Sequence, residues 1–387
     1  MNEDPSHILT HLGEDRHAGY DAVVPPIVQS GNFTYPTVAA MRAVVQQEME
    51  RPLYTRGYNP TVGILRKKLA ALEHAEDALV FSSGSAAIAA AVIGSVKAGD
   101  HIVCVQKPYS WTGKLLVELL QRFGVEHSFV DGTDPENYRR AIAPNTTLFI
   151  LESPNSLTFE LQDIAAVAAI AKAHGITTLC DNSYSGPLFQ NPLDLGMDLV
   201  AHSATKYLNG HSDVVAGVLA GSKERLLRIM QQEFMTLGAC PSPHDAWLLM
   251  RGLRTLELRV VRSADSAAEV ARFLEGHPKV KRTHWPFLNS HPQQALARKQ
   301  MKRCGGLMSI ELDAPDEAAV ERFCDNLSSF LIAVSWGGYE SLQWPVCALK
   351  GPSGYYTDLP FNMVRLYIGL EDPAVLIADL DQALGRV

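Results

Sequence analysis

Short apolar runs alternate with amphipathic stretches between about residue 77 and residue 220, and that alternation predicts the fold. Ala78–Phe81, the start of His101–Leu116, Thr147–Glu152, Ile176–Asp181 and the start of Asp198–Lys206 are nearly unbroken apolar runs that stop at polar or small residues. Runs without polar alternation suit strands buried on both faces. Between them, Leu161–Gly175 places Ile164, Val167, Ala168 and Ala171 on one helical face and ends at a glycine, a usual helix stop. Helices are also expected at Thr37–Arg51, Gly63–Glu73 and from Ser83 to near Gly99. The pattern predicts a mostly parallel α/β sheet covered by helices. After Val214–Ser222, helical periodicity runs through Lys223–Glu275. Strand-like and helical segments then alternate as in a smaller α+β layer, with Asp372-Pro373 opening a last helix. Three parts follow: an N-terminal arm over residues 1–60, a large domain over 61–240, and a connector with a C-terminal domain over 241–387.

The strand ends carry the candidate chemistry. Ligands of open α/β sheets sit outside the carboxyl ends of strands. Asp181 ends one run, and Ser203, Thr205 and Lys206 follow another. A carboxylate and a lysine on two such ends, with hydroxyls around the lysine, fit pyridoxal 5'-phosphate. The lysine makes the covalent link, the acid pairs with the pyridinium nitrogen, and hydroxyl and N–H groups hold the phosphate. Ser83-Gly84-Ser85 lies between a strand and a helix N-terminus, an arrangement that binds anions.

Composition narrows the field. The chain has 387 residues, 47% hydrophobic and 20% charged, with a formal charge of −8. That charge argues against a chain-wide affinity for nucleic acid. No run approaches the length of a membrane span, and the acidic start is unlike a secretory signal. The six cysteines are scattered, which fits reduced, buried thiols and a cytoplasmic setting. The histidines, His202 and His211 included, form no metal spacing, so no metal is expected and these two read as structural.

The segment Asp181–Gly221, with DNSYSGPLFQ and VAHSATKYLNGHSD, resembles the cofactor-lysine region of the Cys/Met-metabolism (trans-sulfuration) enzymes. The resemblance spans nearly the whole chain. It implies a fold-type I PLP-dependent transferase fold, Lys206 as the cofactor lysine and Asp181 as its acid partner. YTRGYNPT (Tyr54–Thr61) is similar to the family word Y-[ST]-R-x-x-N-P-T, which implies Tyr54 and Arg56 as phosphate ligands reaching into a neighbouring subunit. Tyr54 is also implied as an acceptor of a proton from the incoming amine. A homo-oligomer with shared sites, a dimer of dimers, is therefore expected. SSGSAA resembles SSGMAA and implies Ser83, Gly84 and Ser85 at the phosphate with Ser203 and Thr205. Tyr109 matches the tyrosine stacked on the cofactor ring, and Trp111 replaces a small residue and should narrow the substrate side.

Ser156, after Glu152-Ser-Pro-Asn, matches the residue near the cofactor's phenolic oxygen, which is Ser in β-lyases and Asn in γ-type enzymes. VRLYIGLED implies that Arg365 clamps the substrate carboxylate, a task suited to its planar fork. The residue pattern alone would equally put Met363, Arg365 and Tyr367 on a solvated strand face. Ser335 and Trp336 match groups around the same carboxylate. Val334 stands where many γ-lyases and γ-synthases have a glutamate that meets cystathionine's distal amine, although methionine γ-lyases tolerate valine. Ser335-Trp336-Gly337-Gly338 is the β-lyase form, so the expected activity is β-elimination of cystathionine or a similar cysteine thioether to pyruvate, ammonia and a thiol. The alternatives are a γ-type enzyme of the same family, an aminotransferase, or a scaffold that has lost catalysis. The segment Gly351–Met363 departs from the family and predicts an unusual entrance rim.

Overall fold

Seven strands form the central sheet of the computed structural model, which describes residues 4–351, 354–355 and 358–387. They are β1 (Asp77–Phe81), β2 (His101–Val105), β3 (Glu126–Val130), β4 (Thr146–Glu152), β5 (Thr177–Asp181), β6 (Leu199–Ser203) and β7 (Gly217–Gly221). Their order is β1-β7-β6-β5-β4-β2-β3, and only β7 runs against the others. The expected α/β class and its mostly parallel sheet are present. β2 is buried throughout because helices cover both faces. Edge strand β3 is the polar exception: Glu126 and His127 keep it unattractive to another strand.

A second sheet contains β8 (Val280–His284), β9 (Leu307–Leu312), β10 (Leu331–Ile332), β11 (Leu342–Pro345) and, after a ribbon of β12 (Lys350–Gly351) and β13 (Gly354–Tyr355), β14 (Met363–Tyr367). Its order is β10-β11-β14-β9-β8. All of β14 is buried, so Arg365 does not lie on a solvated face. Strands β11 and β9 flank it on its two sides.

Several helix limits differ from the sequence expectation. The arm helix stops at Val45, and the chain turns repeatedly before Pro52, which disfavours helix at the preceding residue. The helix after β1 is Gly84–Ile93, ending ahead of Gly94. The helical stretch 223–275 is interrupted at Gly238 (φ +73°) and by Pro241, then resumes at Pro243 with Ser242 as its cap. The arm itself is fastened inside: Lys68 Nζ lies 3.2 Å from Glu14 Oε1 and donates to the Ile8 carbonyl at 2.9 Å, with both charged side chains buried. No described helix is long and apolar enough to cross a membrane. All six cysteines are unpaired, five of them buried.

Candidate active site

Strand register sets the floor of the site. Phe81, Gly217 and Ser203 stand level across β1, β7 and β6, while Ala201, Asp181 and Glu152 stand level across β6, β5 and β4. The turns after β1, β4, β5 and β6 therefore open along one sheet edge. Ser83 Oγ accepts from the Ala86 N–H at 3.1 Å and caps the helix Gly84–Ile93. The helix cannot pair the Gly84 and Ser85 N–H groups, which remain as anion donors. The turn fits here only because two residues lack side chains. A Cβ at Gly84 would lie 2.8 Å from Ser203 Cα, and one at Gly217 would collide with the Ser83 carbonyl oxygen. Residues far apart in sequence, Ser83–Ser85 and Ser203, are thereby brought together. Thr205 is nearby but committed: its hydroxyl accepts from the Ala216 N–H at 3.0 Å and donates to the Ala216 carbonyl.

Asp181 is fixed by Ser183, whose N–H and hydroxyl donate to Oδ1 at 2.9 and 2.6 Å. Ser183 Oγ in turn accepts from the Ser203 N–H at 2.7 Å. Burial raises the Asp181 carboxyl above its ordinary range, opposed by the Ser183 hydrogen bonds and by the charges of His202 and Lys206. His202 is paired with Glu73 at 2.5 Å, both fully buried, and Asn182 Nδ2 also donates to Glu73. His202 is thus held by a buried carboxylate beside Asp181.

Lys206 is reached from the second sheet. Its Nζ donates to Ser335 Oγ at 2.8 Å and lies 5.6 Å from the Trp336 ring centre. Gly337 (φ +89°) lets that loop press onto the lysine backbone, since a Cβ there would stand 2.9 Å from Lys206 Cα. The next residue, Tyr207, is wedged between Trp336 and Tyr367. Burial and the Arg365 charge push the lysine down to about 8, with Asp181 pulling the other way. Arg365 is 8% exposed and donates to the Val334 carbonyl at 2.6 Å. Its guanidinium lies 4.8 Å over the Trp344 ring but has no carboxylate partner among the described residues. A buried, unmatched guanidinium is costly unless an anion arrives.

The remaining expected residues divide. Tyr109 and Ser156 meet at Glu152, whose Oε2 accepts the Tyr109 N–H at 2.6 Å and whose Oε1 accepts the Ser156 hydroxyl. Val334 is exposed and Trp336 buried, so Trp336 packs beneath the lysine rather than in the open cleft. Trp111 lies outside the Lys206 cluster, in a cleft of about 320 Å³ with Ser85, Ile88 and Lys114. Tyr54 and Arg56 stack on each other at 5.3 Å and make no hydrogen bond or ion pair with the groups above. Of the rim segment 351–363, Pro352, Ser353, Tyr356 and Thr357 lie outside the described residues. Glu152, Ser183 and Tyr207 were missed as site-shaping residues. Only the position of Glu152 at the end of a buried run could have pointed to it.

These features suit pyridoxal 5'-phosphate: a glycine-cleared anion turn, a fixed buried carboxylate, and a lysine amine with lowered proton affinity, all on one sheet edge. The class is that of PLP-dependent enzymes with an open α/β sheet. The profile of the Cys/Met metabolism PLP-dependent enzymes matches residues 6–385, and the chain belongs to that family. It is 40% identical to an L-methionine gamma-lyase of Treponema denticola over 100% of both chains. It is 38% identical to a cystathionine gamma-synthase of Mycobacterium bovis over 95% of each. The crystal structure of metB from Corynebacterium glutamicum superposes with a TM-score of 0.92 at 35% identity, covering 99% of this chain and 98% of the other. The cofactor of the family is pyridoxal 5'-phosphate, and its members act on small amino-acid substrates. The methionine gamma-lyase and the cystathionine gamma-synthase are γ-type enzymes, so they support the γ-type alternative better than the expected β-lyase.

Proposed function

We propose that the chain cleaves the Cγ–S bond of a methionine-like thioether with uptake of water, giving a thiol, ammonia and a 2-oxo acid. The carrying observation concerns Val334. Arg365 grips its carbonyl at 2.6 Å, which places the exposed valine side chain next to the group that would take the substrate carboxylate. Valine offers nothing to a distal ammonium, so a substrate with an uncharged thioether end suits this position better than cystathionine. The methionine γ-lyase relatives support the same choice.

Lys206 would hold the cofactor covalently, Asp181 would face its ring nitrogen, and the Ser83–Ser85 turn with Ser203 would receive its phosphate. Pyridoxal phosphate, when bound, supplies the electron sink that makes protons on substrate carbon acidic. An amine titrating near 8 is partly unprotonated at neutral pH, so Lys206 would take the Cα proton and, once that proton has been handed on and the amine is neutral again, one from Cβ. Arg365 fixes the carboxylate through a two-pronged contact, which holds Cα within reach of the amine. Tyr109 would lie over the cofactor ring. Tyr54 and Arg56, detached from this site, would complete it in a second copy of the chain.

β-Elimination of cystathionine is the second reading, favoured by Ser156 and by the Ser335-Trp336-Gly337-Gly338 loop against Lys206. Incubation with methionine, cystathionine, cysteine and an O-acylhomoserine separates the two. The first reading predicts 2-oxobutyrate and methanethiol from methionine as the fastest reaction. Faster pyruvate release from cystathionine would restore the second.

A further inference from the structure

Glu152 is a fully buried carboxylate to which neither reading assigns a task. It ends β4, level with Asp181 on β5, and both its oxygens are engaged by candidate site residues. The Tyr109 N–H reaches Oε2 at the start of the helix Ser110–Lys114, so Glu152 pins the loop that carries the ring. Ser156 Oγ meets Oε1. The rest of the Ser156 loop is organised separately, with Asn155 Oδ1 accepting from the N–H groups of Thr158 and Phe159. The Ser156 hydroxyl therefore takes its direction from Glu152.

We propose that Glu152 is a positioning residue whose protonation state decides whether Ser156 offers the cofactor a hydrogen-bond acceptor or a donor. The inference rests on Ser156 facing the cofactor's phenolic oxygen in the proposed site. A hydroxyl has one proton and two lone pairs. When Glu152 is ionised, Ser156 gives that proton to Oε1 and turns only lone pairs toward the ligand. When Glu152 is protonated, its O–H donates to Ser156 Oγ, and the serine proton is released to face the ligand oxygen. An ionised phenolic oxygen needs a donor, so protonated Glu152 favours it and ionised Glu152 opposes it. An asparagine in place of Ser156 would carry a permanent donor and need no such partner.

The surroundings allow this change near neutral pH. Burial, and then the charge of Asp181, raise Glu152 to about 7 against the opposing hydrogen bonds from Ser156 and Tyr109. The titratable groups facing it are Cys104 on β2 and Cys180 and Asp181 on β5. Burial pushes both thiols well up and keeps them neutral. Lys206 and His202 lie beyond Asp181 and act on that carboxylate. Asp181, paired with a cationic ring nitrogen, would stay charged and leave Glu152 as the member of the pair that takes up a proton.

The test is a pH titration of the visible absorbance and circular dichroism of the cofactor-loaded protein, for wild type, Glu152→Gln, Ser156→Ala and Lys206→Ala. Glutamine keeps the size of the side chain and fixes one hydrogen-bond arrangement. The expected result is a spectral step around neutrality in wild type that is lost in both Glu152→Gln and Ser156→Ala, with cofactor retained. A step that persists in either variant overturns the proposal. Should Glu152→Gln fail to fold, Ser156→Ala alone decides. If Lys206→Ala leaves the cofactor band unchanged, the site assignment itself fails, which is a separate outcome.

Discussion

Lys206 Nζ and Ser335 Oγ stand 2.8 Å apart, and this contact joins the loop after β6 to the loop between β10 and β11. The amine proposed to carry the cofactor is thus positioned by a residue of the other sheet. Its reach depends on how Trp336 and Gly337 pack against Lys206 and Tyr207.

Ser335→Ala removes the one hydrogen-bond partner that the Lys206 amine has among the described residues, while keeping the loop. A hydrogen bond to a charged group contributes about 1.5–3 kcal/mol. Turnover should fall by roughly tenfold or more, and the cofactor-free fold should lose a comparable ~1.5–3 kcal/mol. Steady-state kinetics beside a thermal melt check this. Unchanged turnover would show that Ser335 does not position the amine.

Burial of Lys206 has a stability consequence in the cofactor-free protein. Its folded-state value, about 8, lies below its ordinary 10.5. Below pH 8 the lysine is charged in both states and the folded state carries the full penalty. Between about 8 and 10.5 the unfolded chain binds more protons, so this group makes stability rise with pH. Lys206→Met should flatten that rise and stabilise the cofactor-free chain at neutral pH by up to ~3 kcal/mol. Denaturant titrations at several pH values measure it, and a less stable Lys206→Met protein would contradict it.

Much of this site was legible because apolar runs end where chemistry begins: Asp181, Ser203 and Lys206 all follow such runs. Arg365 was legible only through its resemblance, since alternation along Met363–Tyr367 could not reveal cover on both faces. The roles of Glu152 and Tyr207 depend on partners more than 40 residues away in sequence, Tyr109 for Glu152 and Trp336 for Tyr207. Local pattern carries no such information. Helix limits shifted for a similar reason: caps such as Ser242 and turn geometry at Gly238 decide them within the assembled fold.

Gly217 should tolerate no side chain. Its Cβ would strike the Ser83 carbonyl, which belongs to backbone and cannot swing aside. Gly217→Ala should displace the Ser83–Ser85 turn, weaken cofactor retention at least tenfold and cost about 1–3 kcal/mol of stability. Gly31→Ala, with open space around it, is the control and should change neither. Equilibrium dialysis of the cofactor with a thermal melt reads both.

Tyr54 and Arg56 pair with each other away from the lysine, which motivates a site shared between copies. Mixing Arg56→Ala chains with Lys206→Ala chains should restore activity through hybrids that hold one intact site. Native mass spectrometry establishes whether hybrids form. Formed hybrids without activity would count against sharing.

Lys206, at the seam between the two sheets, is the residue proposed to hold pyridoxal phosphate. Borohydride reduction of the cofactor-loaded protein, followed by peptide mapping, measures this directly. One labelled peptide is expected, bearing the cofactor on Lys206, and none in Lys206→Ala. Label on another lysine, or equal label in Lys206→Ala, would contradict it.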